Sequence, residues 1–284
     1  MKMGNPNVAG LFYPADPEEL QNFLVSALKQ GTPAPPDSLP VALIVPHAGY
    51  IYSGFTAGHA FARVQHCSPG RIVLLGVSHR YRFPGISLYS IPEVRSPIGT
   101  SPVDIAFTRT LQQNFECVSP EAHEAEHALE VQIPFIQHLF KETPVIPVLF
   151  GMPPSQFHLD FGKRLAQLLD EKDLVIASTD FSHYLPLPEA EKRDRQALSL
   201  IEQGDLPGLI HGLEKDDFSL CGASAVVAAL AFSETCGAEH RYILDYSTSG
   251  DRTQNYESVV GYGAVSLERQ NCVINRNSAG RKKA

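Results

Sequence analysis

Short apolar runs punctuate the chain at 41–46, 71–77, 144–150 and 173–179. Stretches such as LIV, IVLL and LVIA have no polar alternation. That predicts strands covered by helices on both faces, as in a mainly parallel sheet. A further strand is predicted at 86–90. Between the runs, apolar residues at helical spacing predict helices over 55–64, 103–114, 127–140 and 158–171. Pro134 imposes a break or kink on the third of these. Near the N-terminus, Asp16-Pro17-Glu18-Glu19 has the cap, proline and acids of a helix start. Helices dominate 188–236, and two β-rich segments, HRYILDYSTS and SVVGYGAVSL, close the pattern, pairing antiparallel at one side. Strands alternating with helices predict a single-domain three-layer α/β sandwich over 1–268. It has a central, mainly parallel or mixed sheet with helices on both faces. Residues 269–284, polar and basic, are predicted to form a flexible tail.

Composition narrows the function classes. The 284 residues are 43% hydrophobic, enough for one large core, and the net charge is −8. An acidic chain without a basic face does not favour nucleic acid as a partner. The five cysteines are scattered and form no CxxC pair, which predicts free thiols and a cytoplasmic location. No apolar run nears the roughly 20 residues that span a bilayer, and the first residues lack an apolar signal core, so no membrane association is expected.

The candidate chemistry sits where strands end. VALIVP runs into His47, RIVLLGVS into His79, and DLVIASTDFS into His183. In an open α/β sheet, that edge gathers ligands and catalytic groups. The interval from 47 to 79 equals one βαβ unit, so His47 and His79 are expected to end adjacent strands and to meet at one metal ion. Asp180 lies within one turn of His183, where it either touches the site or orients the imidazole. Cys221 opens the apolar helix that follows LCGASAV, and a helix start favours the thiolate. In EAHEAEHALEVQ, His127 and Glu130 are three apart and can share a helix face.

Taken together, VAGLFYPADPEEL, IVPHAGYIYSG, LLGVSHR, EHALEVQIPF, STDFSHY, LCGASAV and the closing YSTSGD and VVGYGAVS resemble the Memo family. Its bacterial and archaeal members are called AmmeMemoRadiSam system protein B. The resemblance runs in order from about residue 8 to 267. It implies a fold like that of class III extradiol dioxygenases, which hold non-haem iron between two histidines and a carboxylate. Carried onto this chain, the resemblance implies His47 and His79 as metal ligands and Cys221 as the third, in place of the carboxylate. It implies His183 as the acid/base group, His127 as a hydrogen-bonding histidine, and Asp180 as their neighbour. Non-haem iron is the implied cofactor. A thiolate ligand makes copper and zinc the alternatives.

Three functions compete at this stage. One is a metal-dependent redox, dioxygenase-like or metal-handling protein with a small-molecule substrate. A second is a metal-free hydrolase with Cys221 as nucleophile, His183 as base and Asp180 as orienter. A third is a phosphopeptide or protein-binding module using Arg80, Arg82, Tyr50 and Tyr52 around the same cleft. The family's system name implies an AMMECR-type protein and a radical SAM enzyme as partners.

Overall fold

The predicted apolar runs become the middle of one sheet, described here by a computed structural model covering residues 6–270. In chain order, the first elements are α1 (Pro17–Leu28), β1 (Ser38–Val45), α2 (Tyr50–Arg63) and β2 (Ile72–Val77). Then come β3 (Ile86–Leu88), β4 (Glu93–Ser96), β5 (Gly99–Pro102), α3 (Ile105–Asn114) and β6 (Cys117–Val118). The central part holds α4 (Ile133–Leu139), β7 (Val145–Phe150), α5 (Gln156–Leu168), β8 (Leu174–Ser178) and β9 (His183–Leu185). The last are α6 (Leu187–Gln203), α7 (Leu206–Lys215), α8 (Ala223–Thr235), β10 (His240–Thr248), the short α9 (Gly250–Thr253) and β11 (Val259–Gln270).

The main sheet runs β10-β11-β1-β8-β2-β7-β3-β6, with β9 added on β11. Its four central strands, β1, β8, β2 and β7, are mutually parallel. The closing strands pair antiparallel with each other and extend the sheet beyond β1. Side-chain alternation splits the core into two layers. Ala42, Ile44, Val73, Leu75, Val175 and Ala177 face α5, α6 and α8. Leu43, Val45, Leu74 and Ile176 face α1, α2 and α4. The architecture is therefore the expected three-layer α/β sandwich, a mixed central sheet with helices on both faces. Among the described residues, no helix is long and apolar enough to cross a membrane.

The structure corrects several details. The strands ending at His47 and His79 are not neighbours, because β8 lies between β1 and β2. Val45 is level with Ser178, and Leu75 with Ala177, so three parallel strands stop together. The helix predicted over 127–140 is shorter. A 3-10 turn at Glu130–Gln132 precedes α4, and Pro134 occupies the first turn of α4 instead of kinking it, where its missing N–H costs nothing. The hairpin β4–β5 was not predicted, since EVRS and GTSP alternate too weakly in hydrophobicity. Arg269 and Gln270 finish β11, and the rest of the predicted tail lies outside the described residues.

One buried ion pair ties α2 to the sheet. Glu268 on β11 is fully buried and accepts from Arg63 Nε at 2.5 Å and Nη2 at 3.1 Å. Ser38 also donates to it from β1. Replacing Arg63 with Met strands that carboxylate, and urea unfolding should show a loss of about 3–5 kcal/mol. The double variant Arg63→Met/Glu268→Leu should recover most of it. A single-variant loss below about 1 kcal/mol, the scale of an exposed pair, would contradict this assignment.

Candidate metal centre

The turn after β1 is held by the strand beside it. The His47 backbone N–H donates to Asp180 Oδ1 at 2.7 Å, and Thr179 N–H donates to Val45 O at 2.9 Å. Asp180 thus anchors the turn that carries His47. Of the two roles expected for Asp180, it takes its place in the site and does not orient the His183 ring. That ring is fixed through its own Nδ1, which donates to Phe181 O at 2.8 Å. Asp194, fully buried on α6, accepts from Ser182 N–H and Oγ–H and so secures the loop before His183.

Hydrogen bonding also fixes which ring nitrogens are free. Ser178 Oγ donates its only proton to Ala128 O at 2.6 Å. It must therefore accept from Gln132 Nε2 at 2.9 Å and from His47 Nδ1 at 3.1 Å. His47 Nδ1 carries the hydrogen, and its Nε2 lone pair points at Cys221 Sγ, 3.0 Å away. On the next strand, Glu126 takes both donors of His79, backbone N–H at 2.7 Å and Nδ1 at 2.9 Å. Burial works to raise the Glu126 carboxyl, but the hydrogen bond and charge of His79 and the Ala128 N–H bring it down to about 2. An ionised Glu126 holds the hydrogen of His79 on Nδ1 and leaves Nε2 open. Such carboxylate–histidine pairs are the usual outer support of metal-binding imidazoles.

His47, His79 and Cys221 each bring a ligand atom within 4.8 Å of the others. His127 completes the polar floor, stacked on His79 at 4.6 Å and edge-on to His47 at 5.4 Å. Burial, then the neighbouring His79, lowers His47 to about 3. Burial, then His47, lowers His127 to about 4. Both rings are therefore neutral near pH 7 and have lone pairs to offer.

Cys221 departs from expectation. It lies two residues before α8, whose cap is Gly222. Gly222 is needed there, since a Cβ would come within 2.2 Å of Ser178 O. Burial, reinforced by the charge of Asp180, pushes the Cys221 thiol strongly up, so the helix start does not by itself make a thiolate. The Asp180 backbone N–H nevertheless points at Sγ from 3.1 Å. Two imidazole lone pairs facing a buried sulfur with one N–H donor fit a metal ion, whose charge would take the place of the thiol proton.

Two other expectations change. Glu130 does not share a face with His127. It accepts from Asn7 N–H, Val8 N–H and the Tyr13 hydroxyl, each at 2.8 Å, and ties down the N-terminal loop. Tyr50 is buried with its hydroxyl on Val131 O, so it cannot face a ligand. Glu126, Ser178, Gln132 and Asp194 were missed. Glu126 alone had a local signal, its place beside His127 in the same acid-rich segment.

Beside His79 and Cys221 opens a cleft of about 450 Å³, walled by residues 77–82, 150–154, 220–221 and 223–224. Its size is that of a small-molecule site. Because Glu126 orients His79, Glu126→Gln should weaken metal binding by about 10–100-fold while the fold persists. Competition against a chromogenic chelator, beside far-UV circular dichroism, reads both. Unchanged affinity would remove Glu126 from the account.

Comparison with known proteins agrees with this fold. The family model described as "Memo-like protein" matches residues 4–266. A MEMO1 family protein of Methanopyrus kandleri is 34% identical over 280 residues, covering 93% of this chain and 99% of that protein. One from Aquifex aeolicus is 35% identical over 266 residues, covering 92% and 98%. The crystal structure of an uncharacterized protein from Escherichia coli superposes with a TM-score of 0.56 at 14% identity. It covers 80% of this chain and 99% of that one, a likeness of fold alone. With its family model matched over nearly its whole length, the chain belongs to the Memo family.

Proposed function

We propose that this protein is a metal-dependent redox protein that holds one non-haem ion through His47 Nε2, His79 Nε2 and Cys221 Sγ. The observation that carries the reading is the convergence of these three side chains, with both imidazole hydrogens committed to the far side. Iron is the first choice because of the dioxygenase-type fold, and copper and zinc are the alternatives that a thiolate favours. A redox-active ion in this donor set supplies one-electron and oxygen chemistry to a substrate in the adjoining cleft.

The chain's own residues supply proton handling and positioning. His183 keeps its Nδ1 hydrogen on Phe181 O, leaving Nε2 to accept a proton. His127, neutral and half-buried against His79, is a hydrogen-bonding group at the floor. Asp180 supports two ligands at once, through its side chain on the His47 turn and its N–H on Cys221. The metal-free hydrolase reading is disfavoured, because it needs a thiolate at neutral pH and burial works against one.

Protein purified without oxygen should contain about one ion per chain by elemental analysis, the stoichiometry of a single three-ligand site. His47→Gln and Cys221→Ser should each lose most of it while keeping wild-type circular dichroism. Affinity should fall in acid, since both imidazoles and the thiol must be unprotonated to bind. Full metal content in folded His47→Gln would overturn the proposal.

A further inference from the structure

The cleft beside His79 and Cys221 carries a charge opposite to that of the protein. The chain has a net charge of −8, yet the cleft walls contain Arg80 and Arg82 and no carboxylate. Arg80 is held by Nε, which donates to Ala125 O at 3.0 Å, next to Glu126 in the chain. Among the described residues, its terminal nitrogens join no ion pair. Arg82 likewise joins none of the ion pairs among the described residues, which engage Arg63, Arg71, Arg95, Arg193, Arg241 and Arg269 instead.

Two unpaired guanidiniums beside a cation site create a positive potential that focuses on an anion entering the cleft. The guanidinium fork matches a carboxylate or phosphate in a bidentate manner. The remaining walls mix the polar groups of Ser78, Tyr81 and Ser224 with the apolar Met152 and Pro153. A ligand complementary to these features has an oxyanion at one end and a group that reaches the metal ligands.

We propose that Arg80 and Arg82 form an oxyanion subsite, so that the substrate of this cleft is a small molecule bearing a carboxylate or phosphate. The inference rests on the cleft being the substrate side of the metal centre, but the arginines and the metal can be tested separately.

The test is calorimetric titration of benzoate, phenyl phosphate and neutral benzamide into metal-free and metal-loaded protein. At least one anion should bind both forms, benzamide should bind neither, and raised salt should weaken the anion. Whichever anion binds more tightly names the oxyanion. Arg82→Ala should cost about tenfold in anion affinity, as expected for losing a charge-assisted hydrogen bond, with metal content unchanged. Arg80→Ala/Arg82→Ala should abolish binding. Equal affinity for benzamide, or full anion affinity in the double variant, would overturn the subsite. Binding of a phosphotyrosyl peptide but of neither small anion would also overturn it, giving the arginines to a macromolecular partner. Anion binding that depends on the arginines in a protein that never takes up metal would uphold the subsite and sink the proposed function instead.

Discussion

Asp180 is the residue on which the geometry of the site depends. It follows β8, the strand inserted between those that lead to His47 and His79. Its carboxylate accepts the His47 backbone N–H and its own N–H donates to Cys221 Sγ. Its carbonyl accepts from the Cys221 N–H at 3.2 Å. One buried residue therefore joins the end of β1 to the segment before α8. A charge this deep is costly unless hydrogen-bonded, and these contacts offset that cost in part. Burial still leaves its carboxyl raised, so the site is built around a group that gains from a nearby cation.

Three imidazoles meet at this edge with the same polarity. His47, His79 and His183 each commit Nδ1 to a protein acceptor, respectively Ser178, Glu126 and Phe181. The acceptors differ in charge, and so do the consequences. A hydroxyl behind His47 leaves burial free to keep that ring neutral. The carboxylate behind His79 outweighs burial and raises its basicity. A more basic imidazole is the stronger donor to a metal, so in the proposed site His79 would be the ligand whose strength is set from outside. Cys221 adds a sulfur whose thiol burial and the charge of Asp180 hold protonated, and a cation opposite it would favour the thiolate. These features favour the proposed metal pocket over a nucleophilic device.

The sandwich and the convergence of His47, His79 and Cys221 were legible because both depend on local pattern. Unbroken apolar runs marked the central strands, and histidines directly after them marked the edge where these side chains meet. Strand order was not legible, since adjacency in a parallel sheet is set by how crossover connections pack, and a later strand can slip between two earlier ones. The supporting residues were hidden for a different reason. Ser178 and Gln132 are ordinary residue types whose importance comes from where one hydroxyl proton must go. Glu126 was masked by the acids around it, while Glu130 looked better placed by spacing and turned out to bind the N-terminal loop. The expected thiolate at Cys221 failed because burial outweighs the pull of a helix start two residues away.

The most direct test of the central claim is X-ray absorption spectroscopy of the metal-loaded protein beside Cys221→Ser. The account predicts one sulfur scatterer at about 2.3 Å together with imidazole nitrogens at about 2.0–2.1 Å, distances typical of thiolate and histidine ligation. The sulfur shell should vanish in the variant while the imidazole scattering remains. A bound metal surrounded only by nitrogen and oxygen in the wild-type protein would contradict the account.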